Sequence, residues 1–164
     1  MTMSDRICLM RNGRIEQIGT PRDLYVEPSS VYAADFLGES NLLPGQYRGN
    51  GVTAISGVGV DQHIVSHERA DIAAGHRVRC LVRPEAVRLL RPGDRADNEM
   101  AATIKDVTLA GGVTRYILGL SEWTQLRATV LSAGPAARHP VGASVRVGFD
   151  RDDTRVLPDE AARG

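Results

Sequence analysis

Several residues of this chain are of types that can do chemistry. His63 and His67 stand four apart with Glu68 beside them, a spacing that on a helix gathers two imidazoles and a carboxylate on one face, where zinc could sit. Ile64 and Val65 between them favour a strand end and a turn instead, in which that spacing loses its meaning. His76 and His139 belong to no cluster of Cys and His, so solvent-facing or turn histidines are expected and no metal. Asp150, Asp152 and Asp153 form a carboxylate-rich turn of the kind that can hold a hard cation. Arg151 and Arg155 interleave with them, and local ion pairing accounts for the charges. Gly111-Gly112 is followed by Val113, Thr114 and Arg115, whereas a phosphate loop requires a lysine and a Ser or Thr after its last glycine; a hairpin turn is expected there. Cys8 and Cys80 lack a pairing pattern and are expected to be buried free thiols. Without a Ser/His/Asp or Cys/His grouping either, the chain is not expected to be an enzyme of its own.

Binding chemistries are narrowed by composition. Lys+Arg 20 balance Asp+Glu 20 across 164 residues, so no broad field draws the chain to nucleic acid or anionic lipid. Arg77, Arg79, Arg83 and Arg88 could form a basic stripe, but single-stranded nucleic acid also needs stacking aromatics, and these are 4% of the chain. Nucleic acid is therefore an unfavoured partner. No apolar run approaches membrane-spanning length, and a folded, cytoplasmic chain is expected.

The elements that must position these residues fall into two styles. Residues 7–10 are an apolar run ending at Asn12-Gly13, after which Arg14 to Gln17 and Ile18 resume a strand composition. Asn and Gly tolerate the positive φ of a two-residue hairpin turn, so a hairpin is expected. Its edges, without further strands to pair with, invite pairing with another chain. Thr20, Pro21 and Asp23 have capping-box spacing for a helix that Pro28 must end. Ser29 or Ser30 can cap a second short helix, with Val31, Tyr32, Ala34, Phe36 and Leu37 towards one side and Gly38 at its stop. From residue 41 onward, short strands alternate with glycine turns, including Gly49-Asn50-Gly51, Gly75, Pro92-Gly93, Gly134-Pro135 and Gly142. Val78, Cys80 and Val82 alternate with Arg77, Arg79 and Arg83, which puts the apolar set inside and the guanidinium groups outside. Residues 102–109, 114–120, 125–131 and 144–149 repeat the theme.

An internal echo runs through this β region. Residues 75–90 align without gaps on residues 142–157, sharing Gly75 with Gly142, Val78 with Val145, Arg79 with Arg146, Arg88 with Arg155 and Leu90 with Leu157. Two related β-segments are expected, at roughly residues 41–91 and 98–157, joined by the polar stretch RPGDRADN.

The run SDRICLMRNGRIEQIGTPRDLYVEPSSVYAADFLGESNLLPG closely resembles the junction, in ATP-binding subunits of ABC importers of the spermidine/putrescine type, between the nucleotide-binding domain and a C-terminal transport-associated OB (TOBE) regulatory domain. VRPEAVRLL at residues 82–90 and GVTRYILGL at residues 112–120 also fit that family. The resemblance implies a mainly β, OB-like barrel built from two β-segments over residues 41–158. It would be preceded by a nucleotide-binding-domain remnant and linker helices in residues 1–40 and followed by a tail at 159–164. On this resemblance the chain would begin just after the family's switch histidine, and the ATPase core would be missing from it. ATP and magnesium would then belong to the complete subunit, and this chain would need no cofactor. Its implied partners are the ATPase core, membrane permease subunits and a second copy in a homodimer. The family's recurring R-P-E falls at Arg83-Pro84-Glu85, which makes that turn the candidate ligand or interface site; alternatively Pro84 simply ends the strand and Arg83 pairs with Glu85 or a nearby loop. A different class of function also fits an OB-like barrel: a free-standing binder of small oxyanions or of single-stranded nucleic acid.

Overall fold

A computed structural model describes residues 5–59, 62–132 and 139–160, so the Gly134-Pro135 turn and the last tail residues lie outside the described residues. The hairpin forms as its turn chemistry dictates. Strands β1 (Ile7–Arg11) and β2 (Arg14–Gly19) pair antiparallel across Asn12 and Gly13, both with positive φ (51° and 75°). Helix α1 (Pro21–Val26) starts on the Thr20 capping box, and α2 (Val31–Leu37) on Ser30, whose hydroxyl accepts from the Ala33 amide. Gly38 follows α2 in extended backbone, φ 161°, so the expected left-handed stop is absent. The buried residues of α2 are Ala33, Ala34 and Leu37, while Phe36 is 64% exposed. The helix is wedged between two surfaces: Ala33 and Leu37 meet Leu9 and Leu24 under the hairpin, and Ala34 meets Leu81 and Leu157 on the barrel. Small residues fit that wedge and the bulky Phe36 is left outside.

The β region is two five-stranded antiparallel sheets of the same design. The first segment supplies β3 (Asn41–Gly49), β4 (Val52–Ile55), β5 (His63–Val65), β6 (Arg77–Val82) and, after a 3-10 turn at Pro84–Ala86, β7 (Arg88–Leu90). The second supplies β8 (Asn98–Ala110), β9 (Val113–Gly119), β10 (Gln125–Leu131), β11 (Ser144–Phe149) and, after a 3-10 turn at Arg151–Asp153, β12 (Thr154–Pro158). The sheet orders are β12-β6-β3-β4-β5 and β7-β11-β8-β9-β10. Each segment therefore gives its last strand to the other's sheet. The registers repeat residue for residue: Asn41 opposes Val82 as Asn98 opposes Phe149, and Leu81 opposes Arg155 as Gly148 opposes Arg88. Gly75 and Gly142 enter β6 and β11 with matching φ values of 91° and 88°. The echo in the sequence is thus a repeated fold with exchanged ends.

Both sheets close on one apolar core that includes Tyr47, Ile64, Val78, Val82, Ile104, Leu118, Leu126 and Phe149. Two asparagines tie each sheet to the far edge of the other. The Asn41 side chain donates to the Arg127 carbonyl (2.9 Å) and accepts from its amide (2.7 Å). Asn98 does the same with Val65 (2.9 and 2.6 Å). On edge strands β10 and β5 the backbone of Arg127 and of Val65 is thereby occupied, which blunts their capacity to pair elsewhere.

Candidate functional site

At the end of β6 the alternation of the strand meets something the alternation alone does not reveal. Arg77, Arg79, Leu81 and Arg83 share the outward row, yet Leu81 is buried and Arg83 is only 8% exposed. The expectation that Arg83 points to solvent is corrected, because α2 lies over that end of the strand. Leu81, an apolar residue in a row of arginines, was the available signal.

The Arg83 guanidinium fills the space where the two linker helices end. Its Nη2 donates to the Tyr25 carbonyl in the last turn of α1 (2.8 Å). Its Nη1 faces the carbonyls of Ala34 (3.0 Å), Glu39 (3.3 Å) and Gly38 (3.4 Å), together with Ser40 Oγ (2.5 Å). The Ala34 carbonyl belongs to the last turn of α2, and Gly38 and Glu39 follow it, so a fixed cation there supplies both hydrogen bonds and a favourable charge. The guanidinium carbon also lies 4.0 Å from the centre of the Tyr25 ring. Burial lowers the pKa of Arg83, but arginine starts so high that the group stays charged at neutral pH. Pro84 stiffens the turn, and Glu85 accepts a hydrogen bond from the Tyr25 hydroxyl. Burial first, then that bond and the Glu85 charge, push the Tyr25 phenol up to about 12. All three residues of the candidate turn are thus located: Arg83 and Glu85 both engage the linker, and they do not pair with each other.

Beside this joint is an open cleft of about 400 Å³ where the two 3-10 turns of the repeat come together, lined by Tyr25, Glu85, Arg88, Asp150, Asp153 and Arg155 among others. Its charges are largely matched within the protein. Arg88 Nη2 donates to both Asp150 oxygens (3.0 and 2.9 Å), and Arg155 donates to the Asp152 carbonyl (2.7 Å). The Asp153 carboxyl is raised from its usual range by burial and then by the neighbouring Asp150 and Asp152 charges. His67 turns to Asp152 (Nε2 to Oδ1, 2.6 Å), and His63 lies on β5. Among the described residues no group of three or more His, Cys, Asp or Glu is arranged to hold a metal ion. Cys80 is buried, and burial pushes its thiol up to about 12; Cys8 is exposed, contrary to expectation, because it faces away from the helices under the hairpin.

Gly111 and Gly112 close the β8–β9 hairpin, and the chain's single lysine, Lys105, stands within β8 with its side chain over Gly119. A phosphate cradle needs a lysine directly after its glycines, so this turn is a hairpin and not such a cradle. No helix among the described residues is long and apolar enough to cross a membrane.

Comparison with known proteins accounts for the fold. The TOBE domain family matches residues 80–157. The spermidine/putrescine import ATP-binding protein PotA of Rubrobacter xylanophilus is 33% identical over 96% of this chain and 42% of its own length. The protein of the same name from Acidothermus cellulolyticus is 35% identical over 77% of this chain and 33% of its own. The sulfate/thiosulfate import ATP-binding protein CysA 2 of Chromobacterium violaceum is 31% identical over 99% and 43%. The chain thus spans about two-fifths or less of these relatives. Among solved structures, the cytoplasmic molybdate-binding protein ModG, crystallised with molybdate, superposes with a TM-score of 0.64 at 18% identity, over 73% of this chain and 96% of its own, a likeness of fold. The repeat with exchanged strands is an OB-like TOBE fold, and the chain matches the TOBE-bearing C-terminal region of PotA-type ATP-binding subunits of ABC importers.

Proposed function

We propose that this chain acts as the non-catalytic regulatory and dimerisation module of an ABC importer ATPase subunit for polyamines or a related small solute. On this reading residues 1–40 complete the nucleotide-binding domain and join it to the barrel of residues 41–158. ATP and magnesium belong to the ATPase core, the permease subunits are partners, and the subunit lies at the cytoplasmic face of the membrane.

The observation that carries it is the outer face of the hairpin. Cys8 opposes Ile18 and Met10 opposes Ile15, with Glu16 bulged out so that Ile15 and Ile18 stay on one side. The opposite side is buried on α1 and α2 through Leu9, whereas Met10, Ile15 and Ile18 are 54%, 61% and 47% exposed. An apolar face on a two-stranded sheet too small to fold alone suits a larger sheet packed against it, and the longer relatives have the sequence to supply one. Solute class is less constrained, since relatives named for polyamines and for sulfate match at 33% and 31% identity. The test is to join this region to an ATPase core of the same family. The expected result is tighter dimerisation and hydrolysis that responds to imported solute; if neither changes against the core alone, the regulatory role is lost.

A second reading, a free-standing oxyanion binder, is favoured by one observation, the fold likeness to a molybdate-binding protein. Calorimetric titration of this chain with molybdate and sulfate at low salt separates the two: saturable micromolar binding by the isolated chain supports the second reading.

A further inference from the structure

We infer that Arg83 is a single-residue pin that holds the linker helices and the barrel in one orientation, and that this is why the turn carries an arginine. The other contacts across this junction are few or exposed, the Tyr25 hydroxyl bond to Glu85 among them. The hairpin and helices have their own small core of Leu9, Leu24, Ala33 and Leu37, separate from the barrel core. Ala34 reaches the barrel at Leu81 and Leu157, with the half-buried Val31 and Leu42 packed beside them. The ion pairs that cross over, Arg155 with Glu27 (3.6 Å), Arg115 with Glu39 (4.0 Å) and Arg11 with Glu160, are solvent-exposed on at least one side. Exposed pairs of that kind add little. Arg83 differs in being buried and in reaching both helix ends at once.

The repeat supplies an internal control. Position 150 in the second segment is the equivalent of position 83, and there the residue is Asp150, which binds Arg88 and the Asp97 amide, both of the β region, at its surface. The strand–turn–strand unit therefore does not require arginine at this point for its own folding; the copy beneath the helices has one. Because Arg83 sits where the chain crosses from one sheet to the other, a shift between the sheets moves the cation and, with it, the ends of α1 and α2. Lysine cannot replace it: an ammonium lacks the planar fork that spans two sets of carbonyls while stacking on Tyr25. Any part in transport depends on the proposed function, but the pin does not.

The experiment uses this chain with spin labels on the exposed Cys8 and on Glu122→Cys, leaving the buried Cys80 unlabelled. Pulsed-dipolar distances should be narrow in the parent and broad in Arg83→Lys and Arg83→Gln. Amide exchange in residues 24–40 should be about tenfold or more faster in those variants, while barrel amides stay protected. Parent-like distances and exchange in both variants overturn the pin. Should the Arg83 variants fail to fold, Tyr25→Ala, which removes the ring beneath the guanidinium, decides it when read against Tyr25→Phe, which loses only the hydroxyl bond to Glu85. Broadened distances support the pin, and an unchanged distribution refutes it.

Discussion

Asn41 and Asn98 are each almost fully buried, and each offers its amide to both backbone groups of one residue on a foreign edge strand. Alanine at either position leaves a backbone donor and acceptor of that strand unpaired, so each single substitution should cost about 2–3 kcal/mol in denaturant melts. The two sites share no partner, and the double variant should equal the sum within about 0.5 kcal/mol. Aspartate at 98 should be no better than alanine, since a carboxylate cannot donate to the Val65 carbonyl. Tyr25 gives a pH signature of the joint. An unfolded tyrosine titrates near 10, while here it is held up to about 12, so between these values the unfolded state has lost a proton that the folded state keeps. Stability contributed by this group is whole below pH 10 and declines as pH rises towards 12. The difference in tyrosinate absorbance between the parent and Tyr25→Phe should show the late transition; a midpoint near 10 would mean the phenol is neither buried nor held by Glu85 in solution.

Local elements were legible because their signals are local. Asn12-Gly13 set the hairpin turn, Thr20 with Asp23 set the first helix, and Ser30 set the second, each through a bond to a residue close in sequence. What could not be read was what lies over an element from afar. Alternation along β6 placed Arg83 outside because Leu81 alone in that row hints at a covering element, and Phe36 was assigned to a face that Ala33, Ala34 and Leu37 fill. The hairpin shows the same division, its two sides having one composition and opposite fates. Leu9→Ala should destabilise the chain by about 2–4 kcal/mol, because it empties the small core beneath the hairpin. Met10→Gln and Ile15→Thr should each change stability by no more than about 0.5 kcal/mol in this chain. If these outer substitutions prove as costly as the inner one in chemical melts, the outer face is already buried in solution and the ATPase core is not its natural cover.

For the whole molecule, the exchange of β7 and β12 makes each sheet the joint product of both segments. The candidate turn belonged to the legible repeat, because the echo between residues 75–90 and 142–157 is present in the residues; that the copies exchange ends was not, since register within a strand does not say which sheet will receive it. The exchange has a mechanical consequence. Neither segment can complete a sheet without the other, and the core between them draws Val78 and Val82 from one and Ile104, Leu118 and Phe149 from the other. Cutting the chain in the linker, between Gly93 and Asp94, should therefore leave residues 1–93 and 94–164 without cooperative melting as separate monomers. Mixing them should restore one cooperative transition, at a midpoint that rises with concentration because the tie is now bimolecular. Calorimetry and amide spectra of the separate and mixed fragments make the check. A monomeric half that melts cooperatively alone would show that the strands brought in from the other segment are decoration, and the asparagine ties and the shared core would then have to be secondary to packing within each half.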